Sequence, residues 1–170
     1  MSDNMNDFLK SWLPILLSLA AILVTCYTVY KQNKIVLFKN RYKVLSVLGY
    51  LLSVTQIILK ENISSKNFIL YNSMDTYCNT TTLNDTVSKG EDISSFYTGL
   101  IFEAGKAKHL FKKKHTADIM RFLTIFNEIV LSNDDKNIYE EKFEELRQIY
   151  SKLQKDNAYG KLEQYLDLYK

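Results

Sequence analysis

Two histidines, a glutamate cluster and two groups of basic residues are the side chains whose types and spacing could support chemistry in this 170-residue chain. His109 and His115 stand six positions apart, which puts them on different helix faces or on either side of a break. Neither has a nucleophile, base or metal ligand at motif spacing, so both read as solvated residues of a basic segment. Glu140, Glu141, Glu144 and Glu145 could do acid–base or metal work only by facing inward. Tyr139, Phe143 and Leu146 claim that face, so the acids point to water, with Glu144 and Arg147 placed to pair at i,i+3. Cys26 and Cys78 match no zinc-ligand spacing, and phosphate-cradling glycine loops and nucleophile elbows are absent from the sequence. No catalytic residue, cofactor, metal or small-molecule substrate is therefore expected.

Lys106, Lys108, Lys112, Lys113 and Lys114 surround His109 and Phe111. One reading is a patch for anionic lipid. Nucleic acid is not expected, because the net charge is only +3. The bland reading is a solvated helix end whose lysines complement the helix dipole.

The elements that position these groups begin with a greasy one. Leu13 to Tyr30 is 18 residues without a charge, about 27 Å as a helix and close to the thickness of a bilayer's hydrocarbon core. A buried core helix would show a polar face, and this run offers only Ser and Thr. A cleaved signal would want a basic start, yet Asp3 and Asp7 precede a lone Lys10, and Ser18-Leu19-Ala20 lies inside the run. An uncleaved transmembrane helix over 11–30 fits best, after a short extracytoplasmic segment at 1–10. Trp12 at one edge and Tyr27, Tyr30, Lys31 and Lys34 at the other are what membrane interfaces favour. Ser18, Ala21, Thr25 and Thr28 line one face with small residues, which would allow self-association in lipid.

Lys31, Lys34, Lys39, Arg41 and Lys43 follow the span with no acid before Glu61, so the positive-inside rule puts the C-terminal part in the cytoplasm of an inner (plasma) membrane. Cytoplasmic placement would leave both thiols reduced and the Asn62, Asn79 and Asn84 sequons unused.

Past the span the reading is all-α: an N-terminal transmembrane helix, then a cytoplasmic antiparallel helical bundle. Residues 31–60 continue as a juxtamembrane helix, with Phe38, Tyr42, Leu45, Leu48, Leu52 and Leu59 as its stripe. Residues 61–90, rich in Asn, Ser and Thr, read as a polar loop or short helix, and 91–170 supply the remaining bundle helices. Thr116 is placed to N-cap one of them, with Asp118 in its first turn.

The run Lys34-Ile35-Val36-Leu37-Phe38-Lys39-Asn40-Arg41-Tyr42-Lys43-Val44 resembles K-I-x-L-F-x-x-R-Y-x-V, a pattern of uncharacterised small bacterial single-pass membrane proteins. His109-Leu110-Phe111 and Leu162-Glu163-Gln164-Tyr165-Leu166 are similar to further short pieces of that group. The resemblance implies an anchored helical protein, with some members near mobile elements or phage-defence genes. The expected function is non-enzymatic, a bundle that binds a protein partner or a second copy beside the bilayer. The alternative is a membrane-perturbing effector or toxin, acting through oligomers of its span. Orientation is checked by protease treatment of inside-out and right-side-out vesicles: a C-terminal tag should be digested only in the inside-out set, and digestion in the right-side-out set would reverse the topology.

Overall fold

The computed structural model describes residues 2–61, 66–80, 92–132 and 136–167. All regular structure among them is helical. α1 spans Ser2–Lys60, α2 Lys66–Thr80, α3 Ile93–Gly105, α4 Ala107–Leu110, α5 Lys113–Leu131, α6 Lys136–Lys155 and α7 Ala158–Asp167. The chain divides into two compact units, Met1–Lys39 and Asn40–Lys170.

The first unit is helix and little else. The sequence alone suggests a helix over 11–30 that continues through 31–60, but α1 starts at Ser2 and passes through Pro14. A proline removes one backbone donor, and the carbonyl it deprives is four residues back, on Lys10. That residue is exposed at the charged edge of the apolar run. From Trp12 to Tyr30 the side chains are exposed throughout. The helix from Trp12 is long and apolar enough to cross a membrane, with mean hydropathy 2.0 and none of its most apolar window buried.

The second unit has the core. α1 contributes Val44, Leu45, Val47, Leu48, Leu51, Val54 and Ile58, all buried. This face is rotated from the expected stripe: Tyr42 is 60% exposed, and Val44 takes the inward position. α3 adds Phe96, Tyr97, Leu100 and Ala104 at a spacing of about four. α5 is the element the others share, with α3, α4, α6 and α7 all packing on it. Its Ile119, Phe122, Leu123, Phe126 and Ile129 are essentially inaccessible. α6 presents Phe143, Leu146, Ile149 and Leu153, and α7 closes with Leu162.

Each fully buried large side chain contributes about 1.5–3 kcal/mol, whereas exposed ion pairs such as Arg147–Glu144 contribute about 0–1. Apolar burial therefore holds this unit together.

Three local details set the packing. Asn157 takes φ 47° between α6 and α7, a left-handed conformation that Asn tolerates. Gly49 leaves room for Tyr159: a Cβ there would sit 3.1 Å from the Tyr159 hydroxyl. α5 starts four residues earlier than the sequence suggests. Lys112 is its N-cap residue, without a side-chain cap bond, and Thr116 is buried inside the helix. The Thr116 hydroxyl donates back to the Lys113 carbonyl at 3.3 Å, while Asp118 pairs across to Lys152 at 2.8 Å. The break lies between α4 and α5 because Phe111 turns into the core.

α2 occupies Lys66–Thr80 inside the Asn/Ser/Thr-rich stretch. Its first residue is a lysine only 5% exposed, whose Nζ donates to the carbonyls of Ile129 and Ser132 at 3.1 Å each. The ammonium thus sits at the C-terminal end of α5, where the helix dipole favours a cation. Lys66→Met keeps the stem and removes the donors. It should cost about 1–3 kcal/mol, visible as a lower melting temperature of the full chain in mild detergent. An unchanged melt would show that the carbonyl contacts carry no stability.

Candidate functional site

The residues expected at the membrane interface and along the span all lie on α1. Trp12, Tyr27, Tyr30 and Lys31 are exposed, and Lys34 is half-buried. Ser18, Ala21, Thr25 and Thr28 are exposed on one face of α1. The Thr25 and Thr28 hydroxyls donate to the carbonyls of Ala21 and Val24, both at 2.8 Å. Their protons are spent within the helix, so what this face offers a second helix is closeness rather than hydroxyl donors.

A second locus gathers around Arg41, in the Asn40–Lys170 unit. Its Nε donates to the Leu110 carbonyl at 3.0 Å. The guanidinium carbon lies 5.7 Å from the centroid of Phe111 and 5.2 Å from that of Tyr165. Those two rings meet edge to face at 5.4 Å. Cation–π contacts of this kind contribute about 0.5–2 kcal/mol each, more as water is excluded. The three short sequence pieces singled out above, around Arg41, Phe111 and Tyr165, thus meet at one corner. Two residues further along α1, Lys43 Nζ stands 3.7 Å from Glu103, which also holds Lys106 at 2.6 Å.

The basic segment forms the outside of this corner. Lys106, Lys108, Lys112, Lys113 and Lys114 are all exposed. Lys106 is engaged by Glu103 and also lies 5.6 Å over the Phe102 ring. Among the described residues Lys108, Lys112, Lys113 and Lys114 have no carboxylate within ion-pair distance. The dipole reading of these lysines changes sign: Lys112, Lys113 and Lys114 stand at the N-terminus of α5, its positive end.

The histidines are not brought together. His109 borders a cavity of about 230 Å³ with Asn40, Val44, Glu103, Lys106 and Leu110. His115 packs edge to face on Tyr165, centroids 6.1 Å apart. Partial burial first, then Lys114, Lys161 and Lys112, hold its imidazole below the ordinary value of 6.5. Of the glutamates, Glu141 and Glu144 are exposed and Glu145 half-buried, while the side chain of Glu140 lies outside the described residues. Glu144 pairs with Arg147 at 3.2 Å; Glu145 and Glu128 share Lys142 at 3.5 and 3.1 Å and raise its pKa, the Glu128 hydrogen bond foremost. No group of three His, Cys, Asp or Glu among the described residues is placed to hold a metal.

Sequence reasoning missed two features. One is a buried hydroxyl chain. Tyr97 donates to the Leu70 carbonyl at 3.0 Å, so its single proton is used and Tyr50 must be the donor in the 3.3 Å contact between the two phenols. Burial pushes Tyr97 up to about 12 and raises Tyr50 as well. The other is a groove of about 560 Å³ between the end of α1 and α2, bordered by Tyr50, Val54, Ile57, Phe68 and Ile69, with Glu61 at its edge. Only spatial proximity assembles either one, since their residues lie far apart in the chain.

Comparison with known proteins found no matching family model, no matching curated protein and no matching solved structure.

The His115 surroundings have a pH signature. A pKa lowered by folding means that the unfolded chain binds the proton more readily, so this group's contribution to stability is fully present above 6.5 and is lost as pH falls from there toward the folded value. Titration of the His115 ring by NMR should give a midpoint below 6.5, moving upward in Lys114→Gln. A wild-type midpoint at or above the free value would rule out the electropositive corner.

Proposed function

We propose that this chain is a single-pass membrane protein whose C-terminal helices form an antiparallel bundle on the cytoplasmic side. The bundle works by contact with a protein partner or a second copy rather than by turnover. One observation carries the reading: Trp12 to Tyr30 is apolar and exposed along its whole length, while the second unit completes a core of its own. Apolar surface on that scale is unfavourable in water and marks a membrane or protein interface. The length, the aromatic edges and the basic flank favour lipid over a protein groove.

The bundle is supported by the shared role of α5 and by the tight connection between α6 and α7 at Asn157. The resemblance to small bacterial anchored proteins agrees with it. A role in binding rather than catalysis rests on how the titratable groups are used. Glu103, Glu128, Glu144 and Glu145 pair with lysine or arginine, and His115 with a tyrosine ring.

The full-length protein should stay with membranes through an alkaline carbonate wash, and release into the supernatant would defeat the anchoring. If the small-residue face of α1 mediates association, Ala21→Leu with Thr25→Leu should lower membrane crosslinking by about tenfold, the scale of 1–2 kcal/mol of packing. Thr25→Val, which removes only a hydroxyl whose proton is already used within the helix, should leave crosslinking unchanged.

A further inference from the structure

Four lysines of the α4–α5 corner have work that the core does not explain. Lys108, Lys112, Lys113 and Lys114 are exposed, and the sequence from Ala104 to Ala117 contains no acid. The nearest carboxylate upstream, Glu103, is already held by Lys106 and Lys43. Three of the four stand at the positive end of α5, so the helix adds to their potential instead of offsetting it. Concentrating like charge in this way is unfavourable for the isolated protein. The pKa of His115 beside them is lowered by burial first and then by Lys114, Lys161 and Lys112.

The corner also has a definite place in the chain. Arg41 grips it through the Leu110 carbonyl and the Phe111 ring. Arg41 follows Tyr30 by 11 positions, so the chain tethers this corner close to any membrane that the uncharged run crosses. Beside the lysines Phe102 is 73% exposed, with Lys106 over its ring, and exposed aromatic rings suit the headgroup region.

We propose that the α4–α5 corner is a docking face for the anionic surface of the membrane that anchors the chain, read by Lys108, Lys112, Lys113 and Lys114. The inference rests on the anchoring proposed above. The face recognises negative headgroup charge without a shaped pocket. It therefore holds the bundle down on anionic membranes and releases it when salt screens the charge or when the lipid is zwitterionic.

The test uses the full chain in vesicles, with a dye on Ala117→Cys in a Cys26→Ser, Cys78→Ser background, and energy transfer to a headgroup-labelled lipid. Flotation first establishes anchoring: the protein must float with pure phosphatidylcholine vesicles; failure there overturns the anchor reading and this inference with it, whereas the lipid comparison that follows tests this inference alone. In vesicles carrying phosphatidylglycerol, transfer should rise at least about twofold over phosphatidylcholine, and 0.5 M salt should reverse the rise, as expected for about fivefold in surface preference per lysine. The variant with all four lysines changed to glutamine should float equally well and show no rise. Equal transfer in the two vesicle types, or a rise that the glutamine variant keeps, overturns the proposal. So does salt-sensitive retention of single-stranded RNA with no lipid response, which would assign the face to nucleic acid.

Discussion

One helix has to satisfy two environments, and the rest of the structure follows from that. α1 runs from Ser2 to Lys60 as a single element. From Trp12 to Tyr30 its side chains are exposed, while its second half buries Val44, Leu48, Leu51 and Ile58 among other helices. Apolar burial is the main favourable contribution to folding, so a segment that forgoes it within the chain must obtain it elsewhere. Lipid, with a second copy as neighbour, is the environment we propose.

The change from one regime to the other falls where the chemistry of the side chains changes. Lys31, Lys34 and Lys39 interrupt the apolar sequence, and the second unit begins at Asn40. Arg41, in the first turn of that unit, is held between two rings and a carbonyl. A planar guanidinium suits this site better than an ammonium would, because it can stack and donate at once. The same contact fixes the α4–α5 corner beside the first turns of the second unit, so the lysine cluster and the start of that unit share one end.

The interior on the far side is apolar and aromatic. Tyr50 packs on Tyr77 at 4.4 Å, and Phe96, Tyr97, Phe126 and Phe122 continue the series. Three polar groups admitted to it are matched: the Tyr97 hydroxyl to a carbonyl, the Thr55 hydroxyl to Leu51, the Lys66 ammonium to the end of α5. They follow the rule that a buried polar group needs a partner, whereas among the described residues the buried Asn127 Oδ1 has none.

The sequence by itself determined what depends on local pattern. The uncharged run, its aromatic and basic edges, the all-helical character and the outward-facing Glu144 all follow from spacing of three and four, or from the length of a stretch without charge. It placed Thr116 at a helix start because a threonine with an acid two residues on is a sound local signal. Phe111 entering the core moved that boundary to Lys112. Likewise the stripe through Tyr42 was reasonable for an isolated helix, but the position of Leu110 and Tyr165 turned Arg41 inward in its place. The tertiary structure alone decided the Arg41 corner, the Lys66 cap, the Tyr50–Tyr97 pair and the groove beside α2. Each joins residues distant in the chain, and a contact of that kind is chosen by how helices pack, which no local periodicity encodes.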